Sequence, residues 1–97
     1  MSFIQIIETR TKSFDELQKL GDEFFEATQG KRTVKHSYLT RDRNDPDRYF
    51  VIALFDSYES AMENSNLPET AAFAERQIPL LEGPPTFYDL DVIEERS

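Results

Sequence analysis

Hydrophobic and polar positions follow two different periods along the chain, and the changes of period divide it into six segments. Alternation with period two marks the first and last segments as strands, whereas apolar residues three or four apart mark two helical regions. Two β-rich segments lie between the helical regions, and a loop dense in turn-forming residues separates them. The predicted elements, in chain order, are Phe3–Glu8, Phe14–Thr28, Thr33–Thr40, Arg48–Phe55, Tyr58–Leu81 and Phe87–Ile93.

The order strand, helix, strand, strand, helix, strand predicts an α+β fold, the ferredoxin-like βαββαβ sandwich. Its four-stranded antiparallel sheet carries both helices on one face. We assign residues 1–97 to one domain of this kind, since the length suits a single core. The first strand places Phe3 and Ile7 on one side and Ile4 and Ile6 on the other. Helices cover one side only, so we expect a homodimer joined through the sheet faces, with the last strand contributing.

Capping signals mark the helix starts. Ser13 has Glu16 three residues later, which is the spacing of a capping box. Pro68 predicts that the second helical region is broken into two pieces, because the residue before a proline avoids the α region. Two pairs of residues could start that region: Ser57 with Ser60, or Asp56 with Glu59.

Composition and charge exclude several kinds of partner. The net charge of −8 would repel nucleic-acid phosphates, so no nucleic-acid partner is expected. No apolar run approaches the roughly 20 residues that cross a membrane, and the N-terminus lacks the pattern of a signal peptide. We therefore expect a cytoplasmic protein without a membrane partner. Cysteine is absent, which excludes disulfides and thiolate sites, and the carboxylates show no metal-ligand spacing with the single His, so no metal is expected.

The segment from Tyr49 to Met62 resembles the second half of antibiotic-biosynthesis-monooxygenase-like domains. In those domains the third strand ends in an aromatic residue, here Phe55, and a short acidic or Ser-containing turn leads into an Ala-rich helix start. The sequence Asn64-Ser65-Asn66-Leu67-Pro68-Glu69, followed by Ala71-Ala72-Phe73, is similar to their broken second helix. The resemblance covers essentially the whole chain. It implies a dimeric α+β barrel, in which two four-stranded sheets pack face to face.

The heme-degrading members of that family resemble one another in an Asn on the first strand, a Trp ending the third strand and a His on the second helix. These positions fall near Ile7, Phe55 and Phe73, and the chain has no Trp. Phe cannot ligate iron, so heme binding through a helix-borne His is excluded and no cofactor is expected. The resemblance then implies a cofactor-independent monooxygenase, or a related isomerase, acting on a small aromatic or polyketide-like substrate. The alternative is a non-catalytic small-molecule-binding or dimerisation protein of the same fold.

His36 and Tyr38 are the candidate catalytic residues. Histidine is the side chain that titrates near neutrality, so His36 could take the proton of a phenol, and Tyr38 lies on the same side of the strand. Both could equally be surface or interface residues of a half-buried sheet. The loop does not fix the register of the hairpin, and a slip of one residue would move His36 to the other face.

Five further residues are candidates for substrate binding. Gln5 is a polar residue within an apolar strand, and its amide needs a partner, which could be a ligand or simply another protein group. Aromatic residues could form the walls of a cleft or belong to the core. We expect the site between the helix-facing side of the sheet and the broken second helix. The candidate substrate-binding residues are Gln5, Tyr49, Phe55, Asn64 and Phe73.

Overall fold

The computed structural model describes residues 2–97 and confirms the βαββαβ order. The second helical region consists of two helices and a short 3₁₀ turn. The elements are β1 (Phe3–Arg10), α1 (Phe14–Ala27), β2 (His36–Asp42), β3 (Asp45–Phe55), α2 (Tyr58–Ser65), α3 (Pro68–Gln77), the 3₁₀ turn (Ile78–Leu80) and β4 (Thr86–Asp91).

The hairpin between β2 and β3 is tighter than the sequence predicts. Its turn contains only Arg43 and Asn44, because β3 begins at Asp45 rather than at Arg48. Asp42 shapes the turn by accepting a hydrogen bond from the Asn44 backbone N–H at 2.8 Å. Asp45 is also held by an ion pair with Arg10 of the neighbouring strand. Because of these contacts, Asp45, Pro46 and Asp47 belong to β3, although their residue types favour a turn.

The helix starts agree with the sequence at one place and differ at another. The Ser57 side chain accepts a hydrogen bond from the Ser60 N–H at 3.0 Å, so the first of the two alternative starts of α2 is confirmed. The predicted capping box at Ser13 is wrong, since its side chain makes no capping bond. The predicted break is confirmed, because Leu67 is extended, with ψ 139°, immediately before Pro68.

All strand pairs are antiparallel, and the strand order is β2-β3-β1-β4. The core lies on the helix side of the sheet, where the aromatic rings of Phe3 and Phe55 pack with Ala53 and with Ala61 of α2. No helix within residues 2–97 is long and apolar enough to cross a membrane.

Candidate functional site

The sheet has two faces with different surroundings. Directly paired residues of neighbouring antiparallel strands point to the same face. We call the side that contains Phe3, Ala53 and Phe55 the helix face, because it packs against the helices. We call the other side the open face. Its residues, from β2 across β3 and β1 to β4, form three rows: His36, Leu54, Ile4 and Leu90; Tyr38, Ile52, Ile6 and Tyr88; Thr40, Phe50, Glu8 and Thr86.

The register therefore decides where the two candidate catalytic residues lie. His36 is paired with Leu54, and Tyr38 is paired with Ile52, so both side chains belong to the open face. Both residues are exposed in the isolated chain, Tyr38 by 62%. The structure brings them together on one face but at its edge, on the outermost strand.

Three of the candidate binding residues lie on the helix face instead. Gln5 donates a hydrogen bond from Nε2 to Oδ1 of Asp89 at 3.1 Å, so its amide has a side-chain partner. Tyr49 stacks on Phe14 with ring centroids 4.5 Å apart. Phe55 is 3% exposed and belongs to the core. These residues share a face with one another but not with His36 and Tyr38.

The remaining two candidates hold the helices in place. Asn64 accepts a hydrogen bond from the Thr33 backbone N–H at 3.1 Å. Phe73 of α3 packs against Phe24 of α1, with ring centroids 5.0 Å apart. The sheet beneath α2 is covered by core side chains, including Phe55 and Ala61. The site expected between the sheet and the broken second helix stays a prediction, with its α2 part occupied by these core side chains.

Two concave surfaces of the described residues border named elements. A groove of about 220 Å³ runs between α1 and α3, and its walls include Leu20, Phe24 and Phe73. A larger depression of about 310 Å³ lies on the open face, and we call it the open-face pocket. Its lining is formed by Ile6, Thr40, Phe50, Ile52, Tyr88 and Leu90.

A chain of hydrogen bonds forms one polar wall beside the open-face pocket. The carboxylate of Glu8 accepts one bond from the Tyr88 hydroxyl and another from Arg48 Nε, each at 2.8 Å. Arg48 also donates to Asp42 at 3.1 Å, and its guanidinium lies 4.8 Å from the centroid of the Phe50 ring. We call Glu8, Tyr88, Arg48 and Asp42 the polar wall.

The hydrogen bonds of the polar wall shift the pKa values of Glu8 and Tyr88. The bonds from Arg48 and Tyr88 to Glu8 hold the pKa of that carboxyl below its ordinary value. The hydrogen bond between Tyr88 and Glu8 also raises the pKa of Tyr88, because the phenol donates its proton to a carboxylate. At neutral pH Glu8 is therefore an anion and Tyr88 a neutral phenol.

Sequence reasoning did not select the polar wall. Alternation alone places Glu8 on the same side of its strand as Ile4 and Ile6, but its partner Arg48 is 40 residues away. The register of β1 against both β3 and β4 was needed to bring Arg48 and Tyr88 to it. No cluster of three His, Asp or Glu side chains suited to a metal ion occurs within residues 2–97.

Comparison by sequence finds no relative, since no family model and no curated protein matches the chain. Comparison by structure does find similar folds. A protein described as a putative antibiotic biosynthesis monooxygenase from Caulobacter crescentus superposes with a TM-score of 0.84 at 17% identity, covering 96% of this chain and 91% of that one. Rv0793 from Mycobacterium tuberculosis superposes with a TM-score of 0.83 at 15% identity, covering 100% of both chains.

A further protein described in the same words, from Nitrosomonas europaea, gives a TM-score of 0.80 at 8% identity and covers 95% of this chain and 90% of that one. At these identities the likeness establishes the fold. The chain has the ferredoxin-like α+β fold of antibiotic-biosynthesis-monooxygenase-like domains, as the order of its patterns predicts.

Proposed function

We propose that the protein is a homodimeric barrel enzyme, a cofactor-independent monooxygenase that acts on a small aromatic molecule held at the open face. The observation that carries the proposal is the open-face pocket, an apolar depression with polar side chains of β2, β1 and β4 around it. The names of the structurally similar proteins support the same class of reaction.

The first step of the proposal is the dimer. The centre of the open face is apolar, and Leu90 at its β4 side is 45% exposed in a single chain. A contiguous apolar surface of this kind is typical of an interface. A second copy packed through the same face would bury on the order of 2,000 Å² in total, which is the range of permanent dimers. Glu8 and Arg48 are already paired, so neither charge would be buried without a partner.

The second step is the binding of a ligand between the two sheets. The open-face pocket, at about 310 Å³, falls within the usual range for small-molecule sites. Ile6, Ile52 and Phe50 give it broad apolar walls that suit a flat ring. The second copy would close the pocket, so each site would be incomplete in a single subunit.

The third step is the chemistry. An electron-rich phenol or quinol can itself supply the electrons that reduce O₂, once a base removes a hydroxyl proton. One oxygen atom then enters the substrate and the other leaves as water, so no separate reductant is needed. His36 lies on the same face as the pocket and is the proposed base, with Tyr38 beside it on β2. The apolar walls would keep bulk water from the reacting ring.

A second candidate function, binding without catalysis, is favoured by one observation. Two titratable residues beside the apolar centre have pKa values that hydrogen bonds move away from neutrality: Arg48 and Tyr88 lower the pKa of Glu8, and Glu8 raises the pKa of Tyr88. Neither can act as a base that is ready at neutral pH. In this alternative the same pocket holds a small aromatic molecule and His36 has no chemical role.

Oxygen consumption with a panel of quinols separates the two candidates. We expect turnover by the wild type and a decrease of about tenfold or more in His36→Ala, because a general base typically contributes at least that much. Ser37→Ala is the matched control, since Ser37 is the next residue of β2 and faces the other side of the sheet. It should retain the wild-type rate.

Two results would contradict the enzymatic proposal. Quinols that bind to the wild type without any consumption of oxygen would favour the binding protein. Equal rates in His36→Ala and the wild type would remove His36 from the reaction.

A further inference from the structure

The polarity of the open face changes along its strands. At one end, the strands β3, β1 and β4 contribute the aliphatic side chains of Leu54, Ile4 and Leu90. At the other end lies the polar wall, where Glu8 accepts a hydrogen bond from Arg48 at 2.8 Å. The face therefore has an apolar end and a polar end, and the direction from one to the other runs along the strands.

Two identical sheets that pack face to face about a twofold axis have two aligned arrangements. If the axis is parallel to the strands, every residue keeps its position along them, and each end of the face meets the same end of the partner's face. If the axis runs across the strands, the two ends are exchanged. A polar end then lies on an apolar end, unless the sheets overlap only in part.

The polarity of the face distinguishes the two arrangements. With the ends exchanged, aliphatic side chains would cover the ion pair of Glu8 and Arg48, and the removal of paired charges from water is costly. With the axis parallel to the strands, the apolar ends pack on each other and the two polar walls meet at the rim. Each wall holds two carboxylates and one guanidinium, and water and salt at the rim screen the repulsion between the walls.

The distribution of charge between the two sides of the sheet agrees with a second copy at the open face. The three helices contain nine acidic and two basic side chains, a net charge of −7 out of the formal −8 of the chain. The helices pack on the side of the sheet opposite to the open face. Association through the open face therefore keeps the two acidic helix layers apart.

The position of the axis follows from the order of the strands. Ile6 and Ile52 lie on the two inner strands, β1 and β3, and line the centre of the open-face pocket. An axis over this pair of residues gives the largest overlap of the two apolar centres. The edge strands β2 and β4 lie on either side of it, so the rotation brings β2 of each subunit over β4 of its partner.

We infer that the proposed dimer has its twofold axis parallel to the strands, so that β2 of each subunit covers the β4 side of its partner's open-face pocket. His36 then lies over Leu90 of the partner subunit, and Tyr38 lies over Tyr88 of the partner subunit. Among the described residues of one chain, the pocket lining includes neither His36 nor Tyr38, so the partner brings both to it. The inference rests on the proposed function, because it takes the open face as both interface and site.

Cross-linking tests the arrangement, because the chain contains no cysteine and introduced thiols are the only ones. A bismaleimide that spans about 10 Å matches the separation of packed sheets. The double variant Tyr38→Cys/Tyr88→Cys should give covalent dimers on denaturing gels, whereas neither single variant should. Within one chain the two positions are three strand spacings apart, roughly 14 Å, which is beyond the reach of the reagent.

A second pair of positions repeats the test without loss of the tyrosines. Thr40 and Thr86 lie on β2 and β4 in the next row of the open face, so Thr40→Cys/Thr86→Cys should also give covalent dimers. Ser37→Cys/Tyr88→Cys is the matched control. Ser37 is paired with Ala53 on the helix face, so this variant should give none.

The possible failures are distinguishable. Covalent dimers of Tyr38→Cys alone would overturn the inference, because an axis across the strands places the two β2 strands over each other. Variants that are dimers by light scattering but are not cross-linked at either pair would also overturn it and leave the proposed dimer in place. A monomeric wild type would overturn the inference together with the proposed function.

Discussion

At the scale of single residues, Glu8 is the side chain of the open face that links neighbouring strands through hydrogen bonds. Its two carboxylate oxygens accept from two different strands, Arg48 on β3 and Tyr88 on β4, while Glu8 itself lies on β1. The contact ties three strands together at one end of a face whose centre is apolar. We therefore expect the contribution of Glu8 to thermal stability to depend on pH.

Replacing Glu8 by Gln should lower the Tm at neutral pH and make the Tm less dependent on pH in the acid range. The pKa of Glu8 is lowered in the folded protein, so its contribution is present above the ordinary carboxyl range and is lost as the pH falls through the folded pKa. The difference in Tm between the wild type and Glu8→Gln should therefore be largest at pH 7. It should shrink as the pH is lowered from 7 to below the ordinary carboxyl range, and it should vanish once Glu8 is protonated in the folded protein.

Thermal melts monitored by circular dichroism across this range check the prediction. Glu26→Gln, which removes an exposed carboxylate of α1, is the control and should track the wild type at each pH. A difference in Tm between Glu8→Gln and the wild type that stays constant as the pH is lowered would contradict the prediction. It would show that the negative charge of Glu8 does not stabilise the folded protein.

The sequence predicted residue types and faces better than it predicted which residues meet. Alternation correctly separated Phe3 from Ile4, since successive residues of any strand point to opposite sides. It could not place His36 on a face of the complete sheet, because this depends on how β2 pairs with β3. The pairing shifts between Arg41 and Asp42 and the turn has two residues, and neither feature is visible in the hydrophobic pattern.

At the scale of elements, the two helix starts show why one local signal held and another failed. Ser57 is extended, with φ −160° and ψ 167°, and its hydroxyl reaches the Ser60 N–H. Ser13 has φ −113° and ψ 49°, and its own N–H is bonded to the Thr11 hydroxyl at 2.9 Å. The buried Thr11 also donates to the carbonyl of Leu80, a contact 69 residues away that local spacing cannot reveal.

These two serines form a matched pair for mutation. Ser57→Ala should destabilise the protein by about 1 kcal/mol, because it leaves a helix N–H without its capping acceptor. Ser13→Ala should cost less than about 0.5 kcal/mol, since the Ser13 hydroxyl makes no capping bond. Urea denaturation gives both free energies of unfolding, and equal losses in the two variants would contradict the assigned caps.

At the scale of the whole molecule, the sheet has helices on one side and an apolar surface on the other. Each chain carries a formal charge of −8, which would oppose association at low ionic strength. The centre of the open face is apolar, however, and the charges of Glu8 and Arg48 at its end are paired. Association through this face would therefore bring the apolar centres together and leave most of the repelling charge outside.

A charge introduced on the open face should disrupt assembly, whereas a charge introduced on the helix face should not. Ile52→Glu places a charge at the centre of the open face and should convert the proposed dimer into monomers, because the charge would be buried without a partner. Leu39→Glu is the control on the same hairpin. Leu39 is paired with Val51 on the helix face and is 52% exposed, so this variant should keep the mass of the wild type.

The molar mass of the wild type in solution tests the central claim most directly. Light scattering coupled to gel filtration, at low micromolar concentration and moderate salt, measures it without reference to any ligand. The expected mass is twice the 11.3 kDa of one chain. A folded protein with the mass of a single chain would contradict it.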